Sequence, residues 1–132
     1  MDCRTPGGLP VCHDSGVAYT VLIVDDHPSF RASARAVLEA DGYEVVGEAE
    51  DGTSGLAAVE ALSPDIVLLD VQLPDMNGFE VCERCGTDEG PAIVLVSSRD
   101  ADDYGPLIAR SGARGFIAKA ELSGSALAAL LA

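Results

Sequence analysis

The sequence predicts an α/β fold: a parallel sheet of five strands with helices on both faces. Three observations carry this expectation. Short apolar runs alternate strictly with helical patterns along the chain, five βα units in all, and such alternation gives a parallel sheet with right-handed crossovers. Two of the runs, Ile66-Val67-Leu68-Leu69 and Ile93-Val94-Leu95-Val96, are unbroken, which marks strands covered on both faces. The length, 132 residues with 48% hydrophobic, suits a single domain with one core.

The elements follow in order. "TVLIVD" (20–25) is a β-branched run and reads as strand 1. "PSFRASARAVLEA" reads as helix 1, with Pro28 suited to a first turn and Phe30, Ala34, Val37 and Leu38 on one face. Asp41-Gly42 closes it. "YEVVGEA" is a weaker, more polar strand 2, expected at a sheet edge. "DGTSGLAAVEAL" is helix 2, closed by Ser63-Pro64, and "DIVLLD" is strand 3. "GFEVCERC" is a short helix 3, "AIVLVS" strand 4 and "DADDYGPLIARSG" a candidate helix 4. "GFIAK" is a short strand 5 and "ELSGSALAALLA" helix 5. Residues 1–18 are rich in Gly, Pro and polar residues without periodicity and read as a flexible leader, native or added in cloning, ahead of a domain over 19–132.

Composition excludes several classes. A net charge of −14 repels phosphate backbones and anionic lipid, so neither direct nucleic-acid binding nor a membrane partner is expected. No apolar run approaches the roughly 18 residues of a membrane span, and the N-terminus has no signal-peptide apolar core. Cys3, Cys12, Cys82 and Cys85 are too few and too uneven for a disulfide scaffold. A reduced, cytoplasmic protein is the simplest reading.

In parallel α/β sheets, sites form beyond the carboxyl ends of the strands. Strand 1 ends at Asp25-Asp26, strand 3 at Asp70 and strand 4 at Ser97-Ser98, and Lys119 follows strand 5. Three converging carboxylates repel unless protonated or paired with a cation. A hard divalent ion such as Mg²⁺, which takes oxygen ligands and keeps several waters, suits them. Acids, a metal, one ammonium and one hydroxyl together suit a phosphoryl group attached to a carboxylate.

The stretches "LIVDDHPSFR", "DIVLLDVQLPDMNGFE", "IVLVSS" and "GARGFIAKAEL" resemble the receiver domain of bacterial two-component response regulators, over about residues 19–132. "SGARGFIAKAEL" most resembles the NarL/FixJ group, whose receivers precede a DNA-binding domain. The resemblance implies the flavodoxin-like (CheY-like), doubly wound fold with strand order 2-1-3-4-5. It implies Asp70 as acceptor of a phosphoryl group from a sensor histidine kinase. It also implies a Mg²⁺ site of Asp26, Asp25 acting mainly through a coordinated water, Asp70 and the backbone carbonyl of Gln72. Ser97 would hydrogen-bond a phosphoryl oxygen, and Lys119 would pair with the phosphoryl group or with empty Asp70. Phe116 stands at the family's aromatic switch position. By the same resemblance the chain is a signalling switch with only weak self-phosphorylation and dephosphorylation. It would control an output, with transcription through a domain absent from this chain as the first expectation. A homodimer through the helix 4, strand 5 and helix 5 face is a further expectation.

Plainer readings stand beside these. Asp25-Asp26 ahead of Pro28 could cap a helix, Lys119 could be a solvated lysine, and Phe116 could be ordinary core. Cys82 and Cys85 have C-x-x-C spacing but no second half-site, which favours a buried helical face over metal or redox chemistry. His27 reads as a solvent-exposed loop residue. Two features depart from the family. Helix 3 is short, and Gly105-Pro106 falls where helix 4 should already run. Regular helix 4 is therefore expected at or after Gly105, with residues 99–104, Arg99 among them, as a mobile loop. Competing functions are an unphosphorylated or stand-alone scaffold, a flavodoxin-like cofactor binder, and an aspartyl-phosphate phosphatase of the haloacid dehalogenase type. The cofactor binder would need a phosphate-cradling loop where Asp25-Asp26 puts negative charge. The phosphatase would need an acid where Gln72 stands.

Overall fold

The computed structural model describes residues 19–85, 90–98 and 104–131. Five strands, β1 (Thr20–Val24), β2 (Glu44–Ala49), β3 (Ile66–Asp70), β4 (Ala92–Ser97) and β5 (Gly115–Ala118), form one parallel sheet in the order β2-β1-β3-β4-β5. Between and after them run α1 (Pro28–Ala40), α2 (Gly52–Leu62), α3 (Gly78–Cys85), α4 (Pro106–Arg110) and α5 (Gly124–Leu131). The expected strand order and the edge position of β2 both hold.

Strand side chains alternate between faces, and the alternation sorts the core in two. Val21, Ile23, Ile66, Leu68, Val94 and Val96 pack with Ala34 and Leu38 of α1 and Leu127 of α5. Leu22, Val24, Val67, Leu69, Ile93 and Leu95 pack with Val81 and Cys82 of α3, and with Leu56 and Val59 of α2 and Ile108 of α4 around them. Both faces of β1, β3 and β4 are therefore dry, which is why these runs are apolar without a break. Each buried Leu, Ile or Val contributes roughly 1.5–3 kcal/mol.

Helix ends follow local chemistry. Asp51 caps α2 reciprocally with Ser54, and Ser63 turns left-handed (φ 46°) to end it before Pro64. α1 opens on Pro28 and closes at Asp41. Two bounds move. Strand 5, read as far as Lys119, ends at Ala118, so Lys119 follows the strand, as the reading of the strand ends had it, and opens a 3-10 turn over Lys119–Glu121. α5, expected from Glu121, begins at Gly124 because Ser123 Oγ accepts the N–H of Ala126 at 3.0 Å, an N-cap. α4 begins at Pro106, as the Gly105-Pro106 break requires, and Gly105 sits at φ 54°, ψ −131°. Arg99 and residues 99–103 of the expected loop, like residues 1–18, lie outside the described residues. Cys82 is buried and Cys85 half-buried, both as free thiols, on the inner face of α3. Burial pushes Cys82 up to about 12, so it is an inert core thiol.

Candidate functional site

Register brings the strand ends together. Val24 pairs with Leu69, so the next residues, Asp25 and Asp70, stand side by side. Asp70 pairs with Val96, and Ser97 pairs with Ala118, directly before Lys119. Neighbouring parallel strands lie about 4.8 Å apart, so one residue beyond each strand suffices to close the cluster. By alternation Asp25, Asp70 and Lys119 fall on the α1/α5 face, where Phe30 also packs.

Asp25 is 0% exposed and Asp70 3%. Lys119 Nζ lies 2.6 Å from Asp25 Oδ2 and 3.3 Å from Asp70 Oδ2, with the Phe30 ring 4.6 Å away as a third, cation–π neighbour. Buried carboxylates persist only when paired, and Lys119 pairs two at once. Asp70 also accepts the N–H of Gln72 at 3.1 Å. Burial pushes the Asp70 carboxyl above its ordinary value, with the charge of Asp25 adding to it; the Gln72 N–H and Lys119 pull the other way. Arg31 steadies the end of β1 by donating to the Asp25 carbonyl at 2.6 Å.

The loop after β3 is tightly drawn. Gln72 bridges Asn77, and the N–H of Gly78 donates to the Val71 carbonyl at 2.6 Å. A Cβ at Gly78 would stand 2.6 Å from the Asp70 carbonyl oxygen, so no larger residue fits there without a shift. Asp75 anchors the loop to α2. It accepts the N–H of Gly52 at 2.8 Å, the N–H of Thr53 at 2.9 Å and the Thr53 hydroxyl at 2.7 Å.

Asp26, Asp70, Gln72, Ser97 and Lys119 share a solvent-open crevice of about 300 Å³, with His27, Leu73, Pro74 and Ser98 completing its wall. Ligand atoms of Asp25, Asp26, His27 and Asp70 lie within 4.8 Å of one another. The donor set fits a hard cation. Most of it is carboxylate oxygen, and Asp25 Oδ2, although buried, accepts no aligned hydrogen bond: its contact with Lys119 is an ion pair only. Every site residue expected from the sequence is therefore in the cluster or its wall.

Three features were not expected. His27 is exposed as foreseen, its side chain 62% so, yet its Nδ1 meets Asp25 Oδ1 at 3.0 Å and Asp26 Oδ1 at 3.1 Å. Phe30, read as a helix-face residue, seats Lys119. The Tyr104 hydroxyl lies 2.7 Å from Ser97 Oγ. The spacing of Phe30 with Ala34, Val37 and Leu38 marked it as part of the inner face of α1 but not what it would meet there. Tyr104 had no such signal, because its approach depends on a turn seven residues beyond Ser97.

The sequence model of the response regulator receiver domain matches residues 21–131. The chain belongs to that family. Phosphorylation by a kinase is the general function of such receivers. The DNA-binding transcriptional activator EvgA of Escherichia coli K12 is 37% identical over 110 residues, 83% of this chain and 54% of its own. The chain spans about half the length of the curated relatives it matches. Among solved structures, the signal receiver domain assigned to NarL of Mycobacterium tuberculosis is 32% identical with a TM-score of 0.76, covering 86% of this chain and 96% of that one. A LuxR-family two-component response regulator from Aurantimonas is 29% identical with a TM-score of 0.78, covering 87% and 86%. Among the described residues, no helix of the receiver is long and apolar enough to cross a membrane.

Proposed function

We propose that this receiver accepts a phosphoryl group from a sensor histidine kinase on Asp70. The supporting observation is a buried carboxylate at the open end of the central strand, 3.3 Å from Lys119 and packed against Asp25 and Asp26. A carboxylate oxygen of Asp70 attacks phosphorus, the bond from phosphorus to the kinase histidine nitrogen breaks, and an acyl phosphate forms. Lys119 holds Asp70 before the reaction and pairs with a phosphoryl oxygen afterwards. Ser97, at the crevice wall, donates its hydroxyl to another phosphoryl oxygen. Asp25, Asp26, Asp70 and the Gln72 carbonyl are the residues that would hold Mg²⁺. When bound, the ion offsets the charge of the carboxylates and of the phosphoryl oxygens.

Gln72, two residues beyond Asp70, has no acidic proton for a leaving group, which disfavours phosphatase catalysis and leaves only slow self-dephosphorylation. The output we propose is transcriptional, by likeness to EvgA. The α4–β5–α5 face, which leaves Leu107 47% exposed, is the surface we assign to pairing with a second copy. Acetyl phosphate with Mg²⁺ should add one phosphoryl group to the wild-type chain by intact mass, and none to Asp70→Asn. An adduct that persists in that variant moves the acceptor elsewhere.

A further inference from the structure

We propose that Tyr104 is a positioning residue for the phosphoryl group, acting through Ser97. Its hydroxyl donates to Ser97 Oγ and so turns the serine hydrogen toward the phosphoryl oxygen. The inference rests on the reading of Asp70 and Ser97 given above.

The two hydroxyl oxygens are 2.7 Å apart, and Ser97 is only 2% exposed. The tyrosine ring is held from two sides. Phe79 of α3 meets it edge-on at 5.8 Å and 67°, and Phe116 of β5 lies at 5.8 Å and 51°. Its backbone is held as well. Gly105, at positive φ, and Pro106 turn the chain immediately after it, and the Tyr104 carbonyl accepts the N–H of Leu107 at 3.2 Å. The break that delays α4 is thus the same feature that sends Tyr104 inward. The hydroxyl is placed by the fold rather than by the reach of a loose side chain.

Proton counting sets the direction. Serine and tyrosine carry one hydroxyl hydrogen each, and phosphoryl oxygens of a dianion only accept. Either hydroxyl can be the donor in the unphosphorylated protein. Once Ser97 gives its hydrogen to the phosphoryl group, the contact survives only with Tyr104 as donor. A phenol is the more acidic hydroxyl and the better donor of the two. A hydroxyl that accepts such a bond becomes a stronger donor in turn. Tyr104 therefore strengthens the Ser97–phosphoryl bond without touching the phosphoryl group. Through its ring it also links that bond to Phe79 and Phe116, and so to α3 and β5. A purely structural tyrosine would fill the gap between the two phenylalanines and nothing more; removing its oxygen would leave the site unchanged.

Beryllofluoride, a phosphoryl mimic, separates the two. Its binding to the whole chain in saturating Mg²⁺ is measured by calorimetry for wild type, Tyr104→Phe, Ser97→Ala and the double variant. Tyr104→Phe keeps the ring and should weaken binding by about three- to tenfold, the range one hydrogen bond supplies. In the Ser97→Ala background the same change should have no further effect. In a Ser97→Thr background, where the hydroxyl remains, the effect should return, which also covers an alanine variant that folds poorly. Wild-type affinity in Tyr104→Phe, tighter binding, or an equal loss without the serine hydroxyl would each overturn the proposal. Should the wild-type chain take neither beryllofluoride nor a phosphoryl group, the reading of Asp70 fails first and this inference with it. Labelling of Asp70 with no effect of Tyr104→Phe refutes the inference alone.

Discussion

Asp75 illustrates how a single side chain can hold a site without entering it. Its three hydrogen bonds to Gly52 and Thr53 tie the loop that carries Gln72 to the start of α2. Those bonds favour the ionised form, with the Thr53 hydroxyl foremost, and hold the carboxyl at about 2 instead of its ordinary 3.8. A carboxyl depressed by folding stabilises the native state above its unfolded pKa and loses that contribution as pH falls through the folded one. The stability difference between wild type and Asp75→Ala should thus be constant above about pH 4 and shrink between about pH 4 and pH 2. Urea unfolding at stepped pH measures it. A difference that does not change with pH would mean the bonds to α2 do not form in solution.

α4 starts at Pro106, where the Gly105-Pro106 break in the sequence put it, and the backbone at Gly105 explains how it is presented. Five residues cannot sustain a helix alone, so α4 depends on how it is presented. Gly105 supplies that with φ 54° and ψ −131°, a conformation that side-chain-bearing residues avoid. Alanine at 105 should destabilise the chain by about 1–3 kcal/mol, read as a lower urea midpoint at unchanged slope. No steric contact accounts for such a loss, since nothing lies within 4 Å of a Cβ there; the cost would be conformational. An alanine variant as stable as wild type would show that the turn relaxes freely. The same backbone then could not be what holds Tyr104 on Ser97.

The molecule carries a net charge of −14, and its site gathers Asp25, Asp26 and Asp70 into one cluster. A divalent cation that binds only the native state stabilises it by mass action, by about 2.7 kcal/mol at a hundred times its Kd. Thermal melting with Mg²⁺ should therefore rise relative to a sodium chloride control of equal ionic strength, which removes general screening. Asp26→Ala, at the crevice wall, should lose most of the rise. An undiminished rise in that variant would place the cation elsewhere on the acidic surface.

Most of this architecture follows from the order of residues. Unbroken apolar runs require burial on both faces, alternation with helical patterns requires crossovers, and acids at the strand ends require a crevice that tolerates them. Asp70, Asp25, Asp26, Ser97 and Lys119 were legible because each lies at, or within two residues past, a strand end, where parallel register leaves little choice of neighbour. The tertiary structure alone decided the contacts made by chain that leaves the sheet. Phe30 under Lys119, His27 against the two acids, Asp75 on α2 and Tyr104 on Ser97 all join residues whose separation along the chain carries no period. Ser123 shortened α5 and Gly105 delayed α4 by local chemistry that was visible, but where those ends then pointed was not. Register is a one-dimensional property that a sequence can state. The direction in which a turn delivers a side chain depends on the packing that receives it.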